Sequence, residues 1–432
     1  MTTSPSASDN AEAERLRRIC DLLRQAERPV RVLRTVAWSP SVRESFFATG
    51  ARELPRVEYP TFDPSPTLEA LTAARTLLRP EGVIDDWLSR QADAIGGGAR
   101  MLAGIGTPEL YRWSRKLYGG PEDPIADGVS TTLDLARQLI AILEGLDDVD
   151  LGAPDPACHL AQGVADRIRA AVEKEFGDRA PQVVVVDQLS ANALAGPSAI
   201  RIRRNACFTD RDVYQLIHHE ALVHVATSLN GREQVDLPIL AAGHPGTTRT
   251  QEGLAVFAEL MSGTLDPDRL KRLVLRVLAI QMAVDGADFL EVYRYFADQG
   301  IEREQAFEST RRVFRGGVLA GGAPFTKDCV YLGGLLRVHN FLRAAVAAGR
   351  SDCLRLLFCG KLDIEDVPAL CQLSHQGLCR PPRFVPPWIR DLRFLVSYLA
   401  YSAFLNRVSL DRIREHYAMM LAAAPRLDPV RD

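Results

Sequence analysis

The sequence lacks an apolar run long enough to cross a membrane. Its longest apolar stretch near the C-terminus, residues 394–405, has 12 residues and includes two serines, whereas a transmembrane helix needs about 20. The first 18 residues, MTTSPSASDNAEAERLRR, contain no apolar core of the kind that a secretion signal requires. We therefore expect a soluble protein of the cytoplasm with no membrane partner.

The sequence also lacks a strong net charge. Lys and Arg together number 52 against 55 Asp and Glu, so the formal net charge is -3. Nucleic-acid binding needs a basic surface that replaces phosphate counterions, and this balance argues against a nucleic-acid partner while leaving room for a local cationic pocket. With 47% hydrophobic and 25% charged residues, the composition is that of a globular protein rather than a fibrous or disordered one.

Cysteine is sparse, and no two cysteines have the CxxC spacing. Eight cysteines in 432 residues do not form the dense framework of a small disulfide-rich protein. The missing CxxC pairs argue against a zinc site built from cysteines. We expect all eight cysteines to be free thiols that behave as small buried hydrophobic residues in a reducing compartment.

Helical periodicity dominates what is present. Residues 1–12 are rich in Ser, Asp and Ala and are predicted to be a disordered leader, followed by a helical N-terminal subdomain over 13–150 and a catalytic region over 151–432. The patterns predict helices over 13–26, 67–78, 82–94, 108–117, 131–146 and 161–176, and strands over 182–186 and 198–203. The triple glycine at 96–98 predicts a loop. The predicted fold class is α+β, predominantly helical, with a small sheet before the helix described next.

Three of the eight histidines fall within residues 218–224. Thr209 and Asp212 form a capping-box pattern that predicts the start of a helix carrying them, and Gly231 is a plausible C-terminal stop. His219 and His224 are five residues apart and would diverge by about 140° on a regular α-helix. A π-type turn between them would place both on one face, and such turns are frequent at functional sites. We predict such a turn here, with a metal ion shared by the two histidines.

A third ligand is predicted further along the chain. Thr250 is a possible cap for a helix with Glu252 in its first turn, and Glu259 lies two turns later on the same face. We assign Glu252 as the third ligand and Glu259 as the partner that orients a histidine. Gly253 would allow close backbone approach. Two neutral imidazoles and one carboxylate leave a Zn²⁺ site at a formal charge of +1, which keeps the metal electrophilic.

The residue between the ligands supplies the chemistry. Glu220 follows His219 directly and is predicted to take a proton from water and pass it to the leaving amine. The spacing alone is equally compatible with an ordinary helix that carries structural histidines, and His218 is interpreted as structural. Glu252 alone is also compatible with a first-turn carboxylate that the helix dipole favours.

Longer motifs resemble a known family. HHEALVH followed by TQEGLAVFAE resembles the bacterial QEGLA-motif family, relatives of the eukaryotic microtubule-associated tyrosine carboxypeptidases, and the blocks at 104–124 and 311–342 are similar to other signatures of this family. The resemblance runs from about residue 13 to the C-terminus. It implies a zincin-like metallopeptidase core in which His219, His224 and Glu252 bind Zn²⁺ and Glu220 is the catalytic base. Eukaryotic members remove a C-terminal tyrosine or glutamate, and the bacterial branch also carries a label that suggests modulation of flavohemoglobin expression.

A carboxypeptidase must also bind the terminal carboxylate of its substrate. Arg249, Lys327 and Arg315 are the candidate cations, and Tyr331, four residues after Lys327, is a candidate donor to the developing oxyanion. Residues 200–203 are predicted to form an edge strand that pairs with an extended peptide.

These observations favour one enzyme, a zinc metallo-carboxypeptidase that acts on the C-terminus of a peptide or protein. Two alternatives stay open: a non-catalytic or regulatory zinc-binding protein, and a zinc endopeptidase with an open-ended cleft. The presence of Glu220 favours catalysis over a structural site. The sequence predicts neither the preferred terminal residue nor the oligomeric state.

Overall fold

A computed structural model describes the chain over residues 7–80, 82–146, 149, 151–152, 158–187, 189, 192–196, 198–407, 415 and 417–421. The α-helices of these residues are α1 (Ala7–Glu27), α2 (Val32–Thr35), α3 (Pro40–Ala48), α4 (Ser65–Arg75), α5 (Val83–Ala103), α6 (Pro108–Tyr118), α7 (Thr132–Glu144), α8 (Ala161–Phe176), α9 (Asp210–Leu216), α10 (Ala226–Arg232), α11 (Pro245–Met261), α12 (Pro267–Val284), α13 (Phe289–Asp298), α14 (Arg303–Phe314), α15 (Cys329–Ala347), α16 (Ser351–Leu356), α17 (Val367–His375), α18 (Pro387–Arg390) and α19 (Arg393–Leu405). No helix among them has the length and apolar character needed to span a membrane.

Shorter elements complete the fold. A π-helical segment, Ile217–Val225, joins α9 to α10, and 3-10 turns occur at Gly177–Arg179, Pro238–Ala241 and Ile364–Asp366. The strands are β1 (Gln182–Val186), β2 (Ala193–Ala195) and β3 (Ala199–Arg203). Helices predominate and the sheet is small, so the predicted α+β class is confirmed.

The predicted helices are present as α1 and α4 to α8, but the predicted loop at 96–98 is wrong. All three glycines lie inside α5, because neighbouring helices pack closely against them. A Cβ added to Gly97 would lie 3.1 Å from Leu117 Cδ2, and one added to Gly98 would lie 2.9 Å from Val30 Cγ1. These glycines serve helix packing rather than chain reversal.

The sheet has the strand order β1-β3-β2. β1 pairs with β3 in parallel, with Val184 opposite Arg201, and β2 pairs with β3 antiparallel, with Leu194 opposite the same arginine. β3 is therefore the central strand, and the prediction that 200–203 forms an edge strand is wrong. The edges are β1 and β2, and the three residues of β2, Ala-Leu-Ala, contain no β-branched side chain that would have marked it as a strand.

One face of the sheet is buried between α8 and the π-helical segment. Alternating side chains of β3 point into this layer, as the period-2 pattern of the strand requires. Its fully buried members include Val164, Ile168, Val172, Ile200, Ile202 and Val225. The sheet is thus fixed against the helix that carries the histidines.

A larger core joins the N-terminal helices to the rest of the molecule. Leu23 of α1 and Leu88 of α5 belong to the same buried cluster as Phe257 of α11 and Leu342 of α15. α1 begins at Ala7, inside the predicted leader, and residues 1–6 lie outside the described part. Residues 147–148, 150 and 153–157, around the predicted boundary between the two regions, also lie outside it, and the division into 13–150 and 151–432 stays a prediction.

Two cysteines contradict the prediction that all eight are free and buried. Cys158 and Cys207 are exposed and form a disulfide, with 5.3 Å between their Cα atoms. The backbones of His159 and Phe208 pair in an antiparallel bridge, and this contact brings the two cysteines together although 49 residues separate them. The other six are free, and all of these are buried except the half-buried Cys371.

Candidate metal centre

The clustered histidines lie on one continuous helix formed by α9, the π-helical segment and α10, here called the metal helix. It begins with the predicted capping box, in which the Thr209 and Asp212 side chains each accept a hydrogen bond from the other's backbone N–H. The predicted π turn is confirmed, and it extends over nine residues, Ile217–Val225. Because of this turn the rings of His219 and His224 lie on one face, with their centroids 5.1 Å apart.

Side chains satisfy the carbonyl groups where the helix changes from π to α. Thr227 Oγ1 donates to the carbonyl of Val223 at 2.7 Å, and Ser228 Oγ donates to that of His224 at 2.7 Å. Lys361 Nζ donates to the His224 carbonyl as well, at 2.9 Å. These donors supplement the backbone hydrogen bonds where the register shifts, and they hold the backbone of His224 in place.

Three predicted ligands come together in space. The ligand atoms of His219, His224 and Glu252 all lie within 4.8 Å of one another. Glu252 Oε2 is 3.8 Å from His219 Nε2 and 3.7 Å from His224 Nε2. Ligands 2.0–2.1 Å from a tetrahedral ion would be separated by about 3.4 Å, so a small inward movement would bring these three atoms to the spacing of zinc ligands.

The hydrogen bond on the far side of His219 tests whether these residues fit zinc. His219 Nδ1 lies 2.6 Å from Glu259 Oε1, and a carboxylate only accepts, so Nδ1 carries the proton. In the neutral imidazole Nε2 is then a bare lone pair that faces the Glu252 carboxylate. The repulsion between these two acceptors is removed by a second proton on the ring, which the raised pKa of His219 favours, or by a metal cation in its place, so the residues fit a zinc ion.

Glu259 is itself held tightly. Arg269 donates to both its oxygens, at 2.9 and 3.0 Å, and Gln215 Nε2 donates at 3.0 Å. Burial raises the pKa of Glu259, but the hydrogen bond from His219 and the charge of Arg269 outweigh it, and the pKa falls to about 2. Burial lowers the pKa of His219, but Glu259 and the nearby acids raise it further than burial lowers it.

Glu252 comes from α11, which starts earlier than predicted. The helix begins at Pro245 with His244 as its N-cap, so Glu252 is not in the first turn. Thr250 lies inside the helix, where its hydroxyl donates to Asp363 Oδ2 at 2.9 Å, and its predicted role as a cap is wrong. A first-turn carboxylate favoured by the helix dipole is therefore excluded as the explanation for Glu252.

Close packing of α11 against α15 fixes the position of Glu252. A Cβ added to Gly253 would lie 2.3 Å from the carbonyl oxygen of Gly334, and one added to Gly334 would lie 2.5 Å from that of Arg249. No side chain fits between the two backbones here. The two glycines thus set the distance of α11 from its neighbour next to the third ligand.

Glu220 is oriented by an edge strand of the sheet. Its Oε2 accepts a hydrogen bond from the backbone N–H of Ala195 in β2 at 3.1 Å. This contact leaves Oε1 for another partner on the half-exposed side of the helix. The sheet therefore positions the proposed base directly, a role that the sequence did not indicate because Ala195 carries no polar side chain.

The candidate carboxylate-binding cations occupy three different environments. Lys327 is buried and donates to Glu252 Oε1 at 2.9 Å, so it contacts a predicted ligand. Arg315 is buried beside Asp328, with 3.9 Å between the charged atoms. Arg249 is half-buried and forms no salt bridge with any residue in the described part of the chain. It precedes Glu252 by three residues and shares its helix face.

Tyr331 contacts this cationic group. Its hydroxyl accepts a hydrogen bond from Arg312 Nη2 at 3.2 Å and keeps its own proton to donate. Lys327 Nζ lies 5.0 Å from the centre of the ring. Lys327 is in the turn before α15 rather than on the helix, so the two side chains meet by a cation–π contact rather than along a helix face.

Lys361 is a residue of this site that sequence reasoning missed. Besides the His224 carbonyl, its ammonium group donates to Gln251 Oε1 at 2.8 Å. It therefore connects the backbone of one predicted ligand to the neighbour of another. Burial lowers the pKa of Lys361 to about 7, against the opposing charges of Glu252 and Glu220. No motif marks it, because it lies more than 100 residues beyond both contacts.

Two comparisons with known proteins can be set beside this geometry. A search among curated proteins gives no match. The family model described as microtubule-associated tyrosine carboxypeptidase matches residues 44–407, a span that contains the metal helix, α11 and α15. The chain belongs to the microtubule-associated tyrosine carboxypeptidase family.

Proposed function

We propose that the protein is a zinc-dependent carboxypeptidase that removes a C-terminal residue from a peptide or protein. The observation that carries the proposal is the convergence of His219, His224 and Glu252 beside Glu220, with Glu259 fixing the tautomer of His219. Membership of a family described as a tyrosine carboxypeptidase supports it. A cytoplasmic location is part of the same proposal.

His219, His224 and Glu252 would hold the zinc ion. Bound zinc supplies a Lewis acid for the scissile carbonyl and lowers the pKa of a coordinated water towards neutrality. Glu220, held by the Ala195 N–H, takes a proton with its free oxygen and delivers it to the leaving amine. The hydroxyl of Tyr331 donates a hydrogen bond to the carbonyl oxygen as negative charge develops there.

Arg249 is our candidate for the group that binds the terminal carboxylate. Lys327 and Arg315 are already paired with Glu252 and Asp328, and a substrate would have to displace these buried contacts. Arg249 has no such partner among the described residues, and its burial lowers its pKa. A carboxylate beside it would supply the missing counter-charge.

A peptide library with varied C-terminal residues tests the proposal. Purified protein is analysed for metal content and incubated with the library, and products are identified by mass spectrometry. Loss of terminal residues alone, with about one zinc per chain, supports a carboxypeptidase and gives its preference. Internal cleavage would identify an endopeptidase, and bound zinc without any cleavage would support a regulatory protein.

The variant Glu220→Gln tests the proposed base. Gln keeps the size and the acceptor oxygen for Ala195 but has no carboxylate to take a proton. We expect turnover to fall by about 10²-fold or more while zinc content stays at the wild-type level. Retained turnover at full zinc occupancy would reject Glu220 as the base.

A further inference from the structure

A second site lies between α16 and α17. The two helices border a cavity of about 760 Å³, within the range of small-molecule sites, and none of the predicted zinc ligands lines it. Its charged lining consists of three arginines, Arg350, Arg355 and Arg390, and one acid, Asp352. Arg350 is paired with Asp352 and Arg390 with Glu175, so Arg355 supplies the unbalanced positive charge that suits an anionic ligand.

Two free cysteines meet at this cavity. The Sγ atoms of Cys353 and Cys371 lie within 4.8 Å of each other. Cys371 is half-buried and lines the cavity, whereas Cys353 is only 6% exposed behind it. A disulfide bond is about 2.05 Å long, so the side chains need to approach by less than 3 Å.

We propose that Cys353 and Cys371 form a dithiol site that reacts with anionic low-molecular-weight disulfides. The Cys371 thiolate attacks one sulfur of the small disulfide, which breaks the S–S bond and releases one thiolate. The Cys353 thiol loses its proton and attacks the Cys371 sulfur, forming the protein disulfide and releasing the second thiolate. Two electrons pass from the protein to the small disulfide, and the two protons end on the released thiols.

The surroundings decide the order of attack and the choice of reagent. Cys371 reacts first because it faces the cavity. Arg355 forms no salt bridge with any described residue, so its guanidinium is available to a carboxylate of the incoming disulfide. Glutathione disulfide, which carries several carboxylates, is the probe, and cystamine is its cationic counterpart.

The same two thiols and Asp352 also have the spacing of a metal site, but the charges argue against it. The guanidinium of Arg350 donates a hydrogen bond to Asp352 Oδ2 at 2.7 Å. The same guanidinium contacts Cys371 Sγ at 3.7 Å. A cation would have to displace this guanidinium. If zinc did bind here, it would protect the two thiols from oxidation, and the experiment must be able to detect that outcome.

Peptide mapping of the full chain after exposure to glutathione disulfide tests the site. Free thiols are alkylated under denaturing conditions and the protein is digested without reduction. We expect a linked Cys353–Cys371 peptide. Cys359 and Cys379 provide an internal control: Cys359 borders the same cavity and is hydrogen-bonded to Cys379, but the two are only 0% and 3% exposed, so they should stay reduced. A linked Cys359–Cys379 peptide with Cys353 and Cys371 unreacted would overturn the proposal.

Variants separate the two chemical steps. Cys353→Ser should accumulate a glutathione adduct on Cys371, and Cys371→Ser should leave Cys353 unmodified. An adduct on Cys353 in the second variant would refute the assigned order. Thiols that react only after treatment with a chelator would refute the site in favour of a metal centre.

A surface variant keeps the test independent of the folding of the cysteine variants. Arg355→Gln should slow the reaction with glutathione disulfide by about fivefold, the effect of one screened charge at contact distance. The rate with cystamine should stay the same or rise. Equal slowing with both reagents would show that the cationic rim has no role.

Discussion

At the scale of single residues, the carboxylate of Glu259 decides which nitrogen of His219 is free to bind a metal. In Glu259→Gln the amide can present its NH₂ group to Nδ1 and loses the charge that fixes the tautomer. We expect zinc affinity to fall by about 10-fold to 100-fold, measured by competition with a chelator. Glu27→Gln is a matched control, because Glu27 is fully buried and paired with Arg24 and Arg31 elsewhere, and it should bind zinc like the wild type.

A second single-residue prediction concerns Arg249. Losing a charge-assisted hydrogen bond to the substrate carboxylate should lower kcat/KM of Arg249→Gln about 10-fold to 100-fold on peptides with a free C-terminus. The effect should be mainly an increase in KM. On a peptide of the same sequence with an amidated C-terminus, wild type and variant should differ little. The exposed Arg18, changed to Gln, controls for net charge. Equal losses on both peptides would count against Arg249 as the carboxylate-binding group.

The sequence predicted those residues of the site that stand in a short motif. His219, His224, Glu220 and Glu252 could be chosen because their spacing has a geometric meaning on helices. The Ala195 N–H could not be chosen because every backbone has one, and its use depends on the path of β2. Lys361 meets the metal helix only through the fold, so no local pattern identifies it.

At the scale of elements, the contact between α11 and α15 fixes the position of Glu252, the proposed third ligand. In Gly253→Ala the new Cβ would lie 2.3 Å from a backbone oxygen, so the helices must separate. We expect a loss of about 3 kcal/mol in the free energy of unfolding together with reduced zinc content. Urea unfolding and metal analysis measure the two effects.

Gly163→Ala is the control for that variant. Gly163 lies in α8, and nothing lies within 4 Å of an added Cβ. Alanine should therefore stabilise the helix by about 0.5–1 kcal/mol. If both variants were equally stable, the close approach of α11 and α15 would not constrain the fold.

The helical elements were easier to predict than the positions of glycine. The sequence predicts a loop at the glycines of 96–98 and a helix stop at Gly231. The helix α10 does end next to Gly231, at Arg232, but the glycine is needed because an added Cβ would be 2.2 Å from the carbonyl oxygen of Leu240. A sequence does not distinguish a glycine needed for a turn from one needed because another backbone lies against it. Only the tertiary packing decides.

At the scale of the whole molecule, the net charge is small, but cationic side chains are concentrated at one place in the interior. Asp328 is 1% exposed and lies within 4 Å of charged atoms of three arginines, Arg276, Arg312 and Arg315. Together with Lys327, these cations exceed the acids that contact them. The local concentration of cations that the composition permitted is therefore present as a buried cluster, which Lys327 connects to Glu252, rather than as a charge spread over the surface.

Acid stability is a property of the whole fold to which the buried His244 contributes. Its Nδ1 accepts a hydrogen bond from the Gly246 N–H, and its Nε2 has no partner among the described residues. Burial lowers its pKa from 6.5 to about 4. The unfolded chain therefore takes up a proton at higher pH than the folded protein does, and stability falls as the pH drops from about 6.5 towards 4.

The variant His244→Asn tests this contribution, because asparagine is a good N-cap and does not titrate. The depressed pKa corresponds to about 3 kcal/mol of stability present above pH 6.5 and lost by pH 4. Urea unfolding of both proteins at intervals between pH 7 and 4.5 should show the wild type losing stability more steeply. The other titrating groups are common to both proteins and cancel in the difference. Parallel curves would mean that His244 can be protonated inside the fold without cost, and that a polar partner reaches its Nε2.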